Sequence, residues 1–107
     1  MKELSLSVLE GYLQKTYKDG MEQGLFMKLV EEIGEVAEIL NVRSGSKSGV
    51  SDDTTDDLAK ELADVIHYAV AIAAVNNINI TNTIIEKDKK ASIKYNHEIS
   101  LEEYMKG

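Results

Sequence analysis

Cysteine and proline are both absent from the 107 residues, and phenylalanine occurs only once. Without cysteine, the chain can form neither a disulfide bond nor a thiolate metal site. Without proline, the strongest helix breaker is missing, so long uninterrupted helices are permitted. Hydrophobic residues make up 43% of the chain and charged residues 29%, a balance that is typical of folded globular proteins and argues against disorder.

Long apolar runs and an excess of positive charge are also missing. The segment Met1–Leu4 lacks the apolar core of a signal peptide, and the longest apolar run, Val65–Val75, contains His67. That run is shorter than the roughly 20 residues that span a bilayer. The net charge of -7 disfavours binding to a nucleic-acid polymer. We therefore expect a cytoplasmic protein with no membrane and no nucleic-acid polymer as partner.

Four segments have the apolar periodicity of helices, at about 4–18, 22–43, 54–76 and 82–95. The first should end at Asp19-Gly20, because glycine readily adopts the left-handed conformation that closes a helix. Ser- and Gly-rich residues 44–53 predict a loop. The pattern therefore predicts an all-α fold, a four-helix bundle that forms one domain over residues 1–107. A monomer of this size buries only about two thirds of its unfolded surface, which favours self-association.

Side-chain types add detail to three of these helices. Gly34 interrupts the second helix, which most simply allows another backbone or a ligand to come close. Thr54 or Thr55 can cap the third helix, whose apolar second half should be buried. Thr81 can cap the fourth helix. Ile84, Ile85 and Ile93 should then face inward.

Two pairs of carboxylates stand out, Glu32 with Glu35 and Glu61 with Asp64. Members of each pair are three residues apart and therefore share a helix face. Antiparallel packing of the second and third helices would bring the pairs together. Grouped carboxylates either raise their pKa values or bind cations, and hard oxygen ligands suit Mg²⁺ or Mn²⁺. Acidic pairs on exposed helix faces are common and usually have no function. Both of these pairs, however, lie beside apolar stripes, a placement that a merely solvated charge does not need.

These motifs resemble those of the MazG-type nucleotide pyrophosphohydrolases, in the all-alpha NTP pyrophosphatase superfamily. The hallmark of that family is Glu-x-x-Glu followed by Glu-x-x-Asp, and 25 residues separate Glu35 from Glu61 here. The resemblance covers roughly residues 25–95. It implies a helical bundle that assembles as a homodimer or homotetramer. It also implies hydrolysis of an NTP or dNTP to the monophosphate and pyrophosphate.

The same resemblance implies roles for individual residues. Glu32, Glu35, Glu61 and Asp64 would be the metal ligands, with Mg²⁺ as cofactor and Mn²⁺ as an alternative. Glu31 would hold a second metal ion or orient the water. On the fourth predicted helix, Lys87, Lys94 and Tyr95 match basic and tyrosine positions of the family. Lys87 and Lys94 would bind the substrate there, and Lys94 is the best candidate for contact with phosphate. Ala91 stands where members often carry an asparagine, so the chain departs from the family pattern at this position.

Several alternatives remain open from the residues alone. Lys28 can form an ion pair within its helix or contact phosphate, and Tyr68 can be a core residue or contact the nucleotide. His67 can pack at an interface, or it can join Asp64 in a di-metal bundle without nucleotide activity. A phosphoribosyl-ATP pyrophosphohydrolase would share the fold and similar acidic motifs. A non-catalytic helical interaction module is the third class of function that the residues allow.

Overall fold

The computed structural model describes residues 1–45 and 54–107, which form five helices. They are α1 (Leu6–Thr16), α2 (Glu22–Gly45), α3 (Thr54–Val75), α4 (Ile80–Lys94) and α5 (Leu101–Lys106). The predicted all-α fold is confirmed, and the bounds of α1 to α4 lie within two residues of the predicted ones. Ser44 and Gly45 of the predicted loop are the last residues of α2. Residues 46–53 of that loop lie outside the described residues.

Polar side chains at the helix ends explain the observed bounds. Ser5 accepts a hydrogen bond from the Val8 N–H and so begins α1. The predicted cap at Thr81 is wrong, because the Asn79 side chain accepts a hydrogen bond from the Asn82 N–H and begins α4 earlier. A reciprocal capping box between Ser100 and Glu103 forms α5, which lies beyond the four predicted helices.

The small hydrophobic core lies where α3 packs against α1 and α2. Leu13 of α1 and Leu25 of α2 contact Val70, Ala71 and Ala74 of α3. The alanines let the neighbouring helices approach α3 closely. The predicted burial in the second half of α3 is therefore confirmed for the residues that face these two helices.

Helix α4 lies apart from the α2–α3 pair, since it packs mainly against α1 and α5. Glu10 accepts a hydrogen bond from the Ile80 N–H at 3.2 Å, and the Leu101 N–H donates to Asp88. The prediction that Ile84 and Ile93 face inward is wrong for the single chain. Ile93 is 83% exposed and Ile84 is 38% exposed. The two residues are nine positions apart and so lie on opposite sides of α4, where one neighbouring helix could not bury both.

Two apolar stripes on α2 and α3 remain exposed. On α2 the stripe contains Val30, Ile33 and Leu40, and on α3 it contains Leu62 and Ile66. The radius of gyration is 17.0 Å, against about 13 Å for a compact domain of this length. The single chain is thus open and leaves much apolar surface uncovered. Across residues 1–45 and 54–107, no helix is long and apolar enough to cross a bilayer.

Candidate active site

The two carboxylate pairs face each other across the antiparallel helices α2 and α3. Hydrogen bonds at both ends fix the pairing of these helices. The Asn76 side chain donates to Glu22 at 3.1 Å, and the Arg43 Nε donates to the Thr54 hydroxyl at 2.9 Å. Because side chains three residues apart lie on one helix face, both members of each pair point across the same seam.

The acids form two overlapping groups in which one ligand atom from each residue lies within 4.8 Å of the others. The first group is Glu31, Glu32 and Glu35, and the second is Glu32, Glu61 and Asp64. Glu32 belongs to both groups and is only 8% exposed. The structure therefore brings all four residues expected to hold metal, together with Glu31, into one cluster.

Glu61 is the most perturbed acid in this cluster. Glu61 contacts the carboxylate of Glu32 and, with a smaller effect, that of Glu35. Both contacts favour the protonated form of Glu61, which can donate a hydrogen bond to a neighbouring carboxylate. Together with burial and the negative charges of both neighbours, these contacts raise the pKa of Glu61 to about 8. When Glu61 is ionised, its buried Oε2 atom has no hydrogen-bond donor among the described residues. A buried oxygen without a partner among converging carboxylates fits a site for a divalent cation with oxygen ligands.

Lys28 and Glu31 lie at one edge of the carboxylate cluster. The Lys28 ammonium is 3.4 Å from Glu31 Oε2, and both side chains are about half exposed. The hydrogen bond with Glu31 and the negative charge of that carboxylate raise the pKa of Lys28. One of the two alternatives for Lys28, an ion pair within its helix, is therefore present, and it places an ammonium group next to the acids.

A cavity of about 480 Å³ lies at the same edge of the cluster. Lys28 and Tyr68 line this cavity, which we call the aromatic cavity, together with Tyr17, Gly24 and Leu25. Lys28 and Tyr68, for which contact with the substrate was one of two alternatives, thus share one cavity next to the carboxylates.

His67 lies behind the aromatic cavity and not among the carboxylates. Its Nε2 atom is 2.8 Å from the Tyr17 hydroxyl, and its ring meets both Tyr17 and Tyr68 edge-on. Neither acidic group of the described residues includes His67. The geometry therefore favours packing and hydrogen bonding for His67 over a place in a di-metal site with Asp64.

The two lysines of α4 that were predicted to bind substrate, Lys87 and Lys94, are not brought to the cluster within one chain. Lys87 lines a separate cavity of 310 Å³ on α4 with Lys90, and the Lys94 ammonium lies 5.3 Å from the centre of the Tyr95 ring. Neither α2 nor α3 packs extensively against α4. A role for these lysines at the carboxylates requires another copy of the chain.

Sequence reasoning missed Tyr17 as a residue of the site. Tyr17 fits the apolar stripe of α1, and it does pack against the core. Its hydroxyl, however, bonds to a histidine that is 50 positions away in the chain. No local spacing pattern could indicate this pairing, because it depends on how α1 crosses α3.

Comparison with known proteins places these residues in context. The model of the MazG nucleotide pyrophosphohydrolase domain matches residues 21–98, which include every acid of the cluster. The crystal structure of iMazG from Vibrio DAT 722 is similar, with a TM-score of 0.65 and 29% sequence identity. This alignment covers 88% of the present chain and 100% of the iMazG chain. No curated protein sequence matches the chain significantly.

Proposed function

The chain belongs to the MazG nucleotide pyrophosphohydrolase family, and from this premise we propose that it hydrolyses a nucleoside or deoxynucleoside triphosphate. The products would be the nucleoside monophosphate and pyrophosphate, with Mg²⁺ as cofactor and Mn²⁺ able to replace it. The observation that carries this proposal is the carboxylate cluster on α2 and α3, with its buried, unpartnered Glu61 oxygen.

In this proposal Glu32, Glu35, Glu61 and Asp64 hold the metal. Oxygen ligands from facing helices suit Mg²⁺, which is bound through carboxylates and substrate phosphates. When bound, the divalent ion would offset the acidic charge and stabilise negative charge on the phosphate oxygens. The rigid α2–α3 pair fixes the positions of the four side chains before the substrate binds, which lowers the cost of reorganisation during the reaction.

The remaining residues of the site would bind the substrate and the attacking water. Glu31, at the edge of the cluster, would accept a hydrogen bond from that water and orient it toward the α-phosphorus. The Lys28 ammonium, 3.4 Å from Glu31, would contact a phosphate oxygen. Tyr68, which lines the aromatic cavity, would contact the nucleoside.

Lys87 and Lys94 enter the proposal only through self-association. We propose that the protein acts as a homodimer or homotetramer in which another copy covers the exposed stripes of α2 and α3. Such packing removes apolar surface from water, which is the main driving force of stable oligomers. It would also let α4 of one copy present its lysines to the acids of another, where they could stabilise the leaving pyrophosphate.

The test is pyrophosphate release from a panel of NTPs and dNTPs with Mg²⁺, with Mn²⁺ and with EDTA. We expect release that EDTA abolishes. Asp64→Asn should reduce kcat by at least about 100-fold, as is usual when a group that stabilises the transition state is removed. Asp56→Asn is the matched control, because Asp56 lies in the exposed first turn of the same helix. It should keep wild-type activity.

The outcomes separate the competing functions. Full activity in Asp64→Asn would reject its assignment as a ligand. Activity on phosphoribosyl-ATP alone would replace the proposed substrate but keep the reaction. No activity, together with iron that copurifies with the protein, would favour a di-metal bundle.

A further inference from the structure

Helix α1 precedes the part of the chain that matches the MazG domain, since it ends at Thr16 and the match begins at residue 21. The apolar side of α1 packs against the core. Another side carries Ser7, Glu10 and Gln14, whose spacing of three and four residues places them in one row along the helix. This polar row of α1 is therefore a feature that the matched domain does not account for.

Glu10 of the polar row binds the first turn of α4. Its carboxylate accepts a hydrogen bond from the Ile80 N–H at 3.2 Å, in a partly buried contact. The first turn of α4 contains no acidic residue of its own, although the helix dipole makes negative charge favourable there. Glu10 therefore supplies from α1 both an acceptor for a free helix-end N–H and the charge that this helix end favours.

The other two members of the polar row bond to residues on either side of Ile80. The Gln14 amide donates to the Asn77 side chain at 2.9 Å. The Ser7 hydroxyl lies 3.2 Å from the Thr81 hydroxyl. Asn77 has a φ of 55° and its N–H bonds back to the last turn of α3, which closes that helix tightly. Three contacts thus join α1 to the short connection between α3 and α4.

These contacts fix the direction of α4. This helix packs mainly against α1 and α5, and of these two it is α1 that packs on α3. Lys94 lies 14 residues after Ile80, a rise of about 21 Å along the helix. A tilt of α4 by about 10° about its first turn would move Lys94 by roughly 4 Å and Lys87 by roughly 2 Å. Such movements are large, because a displacement of about 1 Å can lower a reaction rate by roughly 100-fold.

We propose that the polar row of α1 positions α4 for the reaction, with Glu10 as the main positioning residue. By fixing the direction of α4, it sets where Lys87 and Lys94 lie relative to the carboxylates of another copy. The two lysines are seven residues apart and share a face of α4, so one change of tilt displaces both. This inference rests on the proposed function for the role of the lysines, but the anchoring of α4 can be measured without turnover.

Distance measurements between spin labels test the anchoring. The absence of cysteine allows labels to be placed at Gln23→Cys on α2 and Lys90→Cys on α4, both at exposed positions. Labelled chains are assembled with an excess of unlabelled chains, so that double electron–electron resonance reports distances within one copy. We expect a narrow distribution of distances. Adding Glu10→Ala should broaden it or shift its mean by roughly 2 Å or more, whereas Glu10→Gln, which keeps an acceptor oxygen, should retain it.

A second variant and a control complete this measurement. Gln14→Ala removes another contact of the polar row and should also broaden the distribution. It keeps the test valid if Glu10→Ala fails to fold, because Gln14 is exposed. Glu3→Ala is the matched control, since Glu3 is an exposed carboxylate ahead of α1, and it should leave the distribution unchanged. Unchanged distances in both Glu10→Ala and Gln14→Ala would overturn the inference.

Kinetics test whether Glu10 acts through the lysines. Glu10→Ala should lower kcat for the preferred triphosphate by roughly 10- to 100-fold, and Glu10→Gln should restore most of it. In a chain that already carries Lys87→Ala and Lys94→Ala, Glu10→Ala should cause no further loss, because the groups that it positions are gone. An equal further loss in that chain would overturn the positioning role, since a merely structural residue acts independently of the lysines.

Failure of the inference and failure of the proposed function give different results. Changed distances in Glu10→Ala, together with no pyrophosphate release from the wild type, would keep the anchoring of α4 and overturn the proposed function with the role of its lysines. Pyrophosphate release from the wild type, together with unchanged distances in the variants, would keep the function and overturn the inference.

Discussion

Metal binding to the carboxylate cluster should compete with a proton on Glu61. The metal-free structure holds this carboxyl against Glu32 and Glu35 and raises its pKa to about 8. A metal ligand must be ionised, so the proton has to leave before or as the metal binds. With a pKa of about 8, roughly one molecule in a hundred is ionised at pH 6, one in eleven at pH 7 and half at pH 8.

These ionised fractions of Glu61 determine how strongly the apparent Kd of the metal depends on pH. The apparent Kd for Mn²⁺ should fall roughly ninefold between pH 6 and pH 7, roughly fivefold between pH 7 and pH 8, and less than twofold above pH 8. Isothermal titration calorimetry at each pH measures this dependence. Glu61→Gln carries no proton at this position, so its weaker binding should depend much less on pH. An apparent Kd that is constant from pH 6 to pH 8 in the wild type would refute the reasoning.

The same carboxyl makes the stability of the metal-free protein depend on pH. The pKa in the folded state, about 8, lies above the ordinary value of 4.5, so the folded state binds the proton more tightly. Its contribution to stability is full below about pH 4.5 and is lost as the pH rises toward 8. In thermal melts with EDTA, ionisation of Glu61 should therefore lower Tm as the pH rises from about 4.5 to 8. Glu61→Gln should flatten that part of the curve, and saturating metal should offset the loss at high pH.

Two further predictions concern the core and the surface. Leu13→Ala should lower the free energy of unfolding by about 2–5 kcal/mol, because Leu13 is fully buried. Urea denaturation measures this change. Leu4→Ala is the control and should have little effect, because Leu4 is exposed. Equal losses of stability in the two variants would contradict the assigned core. Ile66→Glu places a charge in the exposed stripe of α3 and should shift the sedimenting mass toward the 11.9 kDa monomer. A wild-type protein that already sediments as a monomer would contradict the proposed assembly.

The fold could be predicted well because its signals are local. Apolar periodicity located α1 to α4, and the absence of proline allowed α2 and α3 to run without a break. The errors occurred where short polar side chains compete for the same helix end. Asn79 caps α4 instead of Thr81, and the Ser100–Glu103 capping box adds α5. Such choices depend on the local backbone geometry, which periodicity does not report.

The inward face of α4 could not be predicted, because burial depends on which helices come next to it. Ile84 and Ile93 are nine positions apart, which places them on opposite sides of the helix, and in the single chain both are exposed. The open space beside Gly34 has the same cause, because no atom of the described residues lies within 4 Å of the place where a Cβ would be. The exposed isoleucines of α4 and the open space beside Gly34 would be explained if another copy of the chain packs against α4 and α2.

The sequence by itself determined the helices and placed Glu32 with Glu35, and Glu61 with Asp64, on single helix faces, because these relations follow from the helical repeat. Only the tertiary structure decided that Glu61 is held against Glu32 and Glu35 with a raised pKa and that Tyr17 bonds to His67. Contacts between helices depend on how buried apolar faces pack, and Leu13 and Leu25 against the alanines of α3 set that packing here.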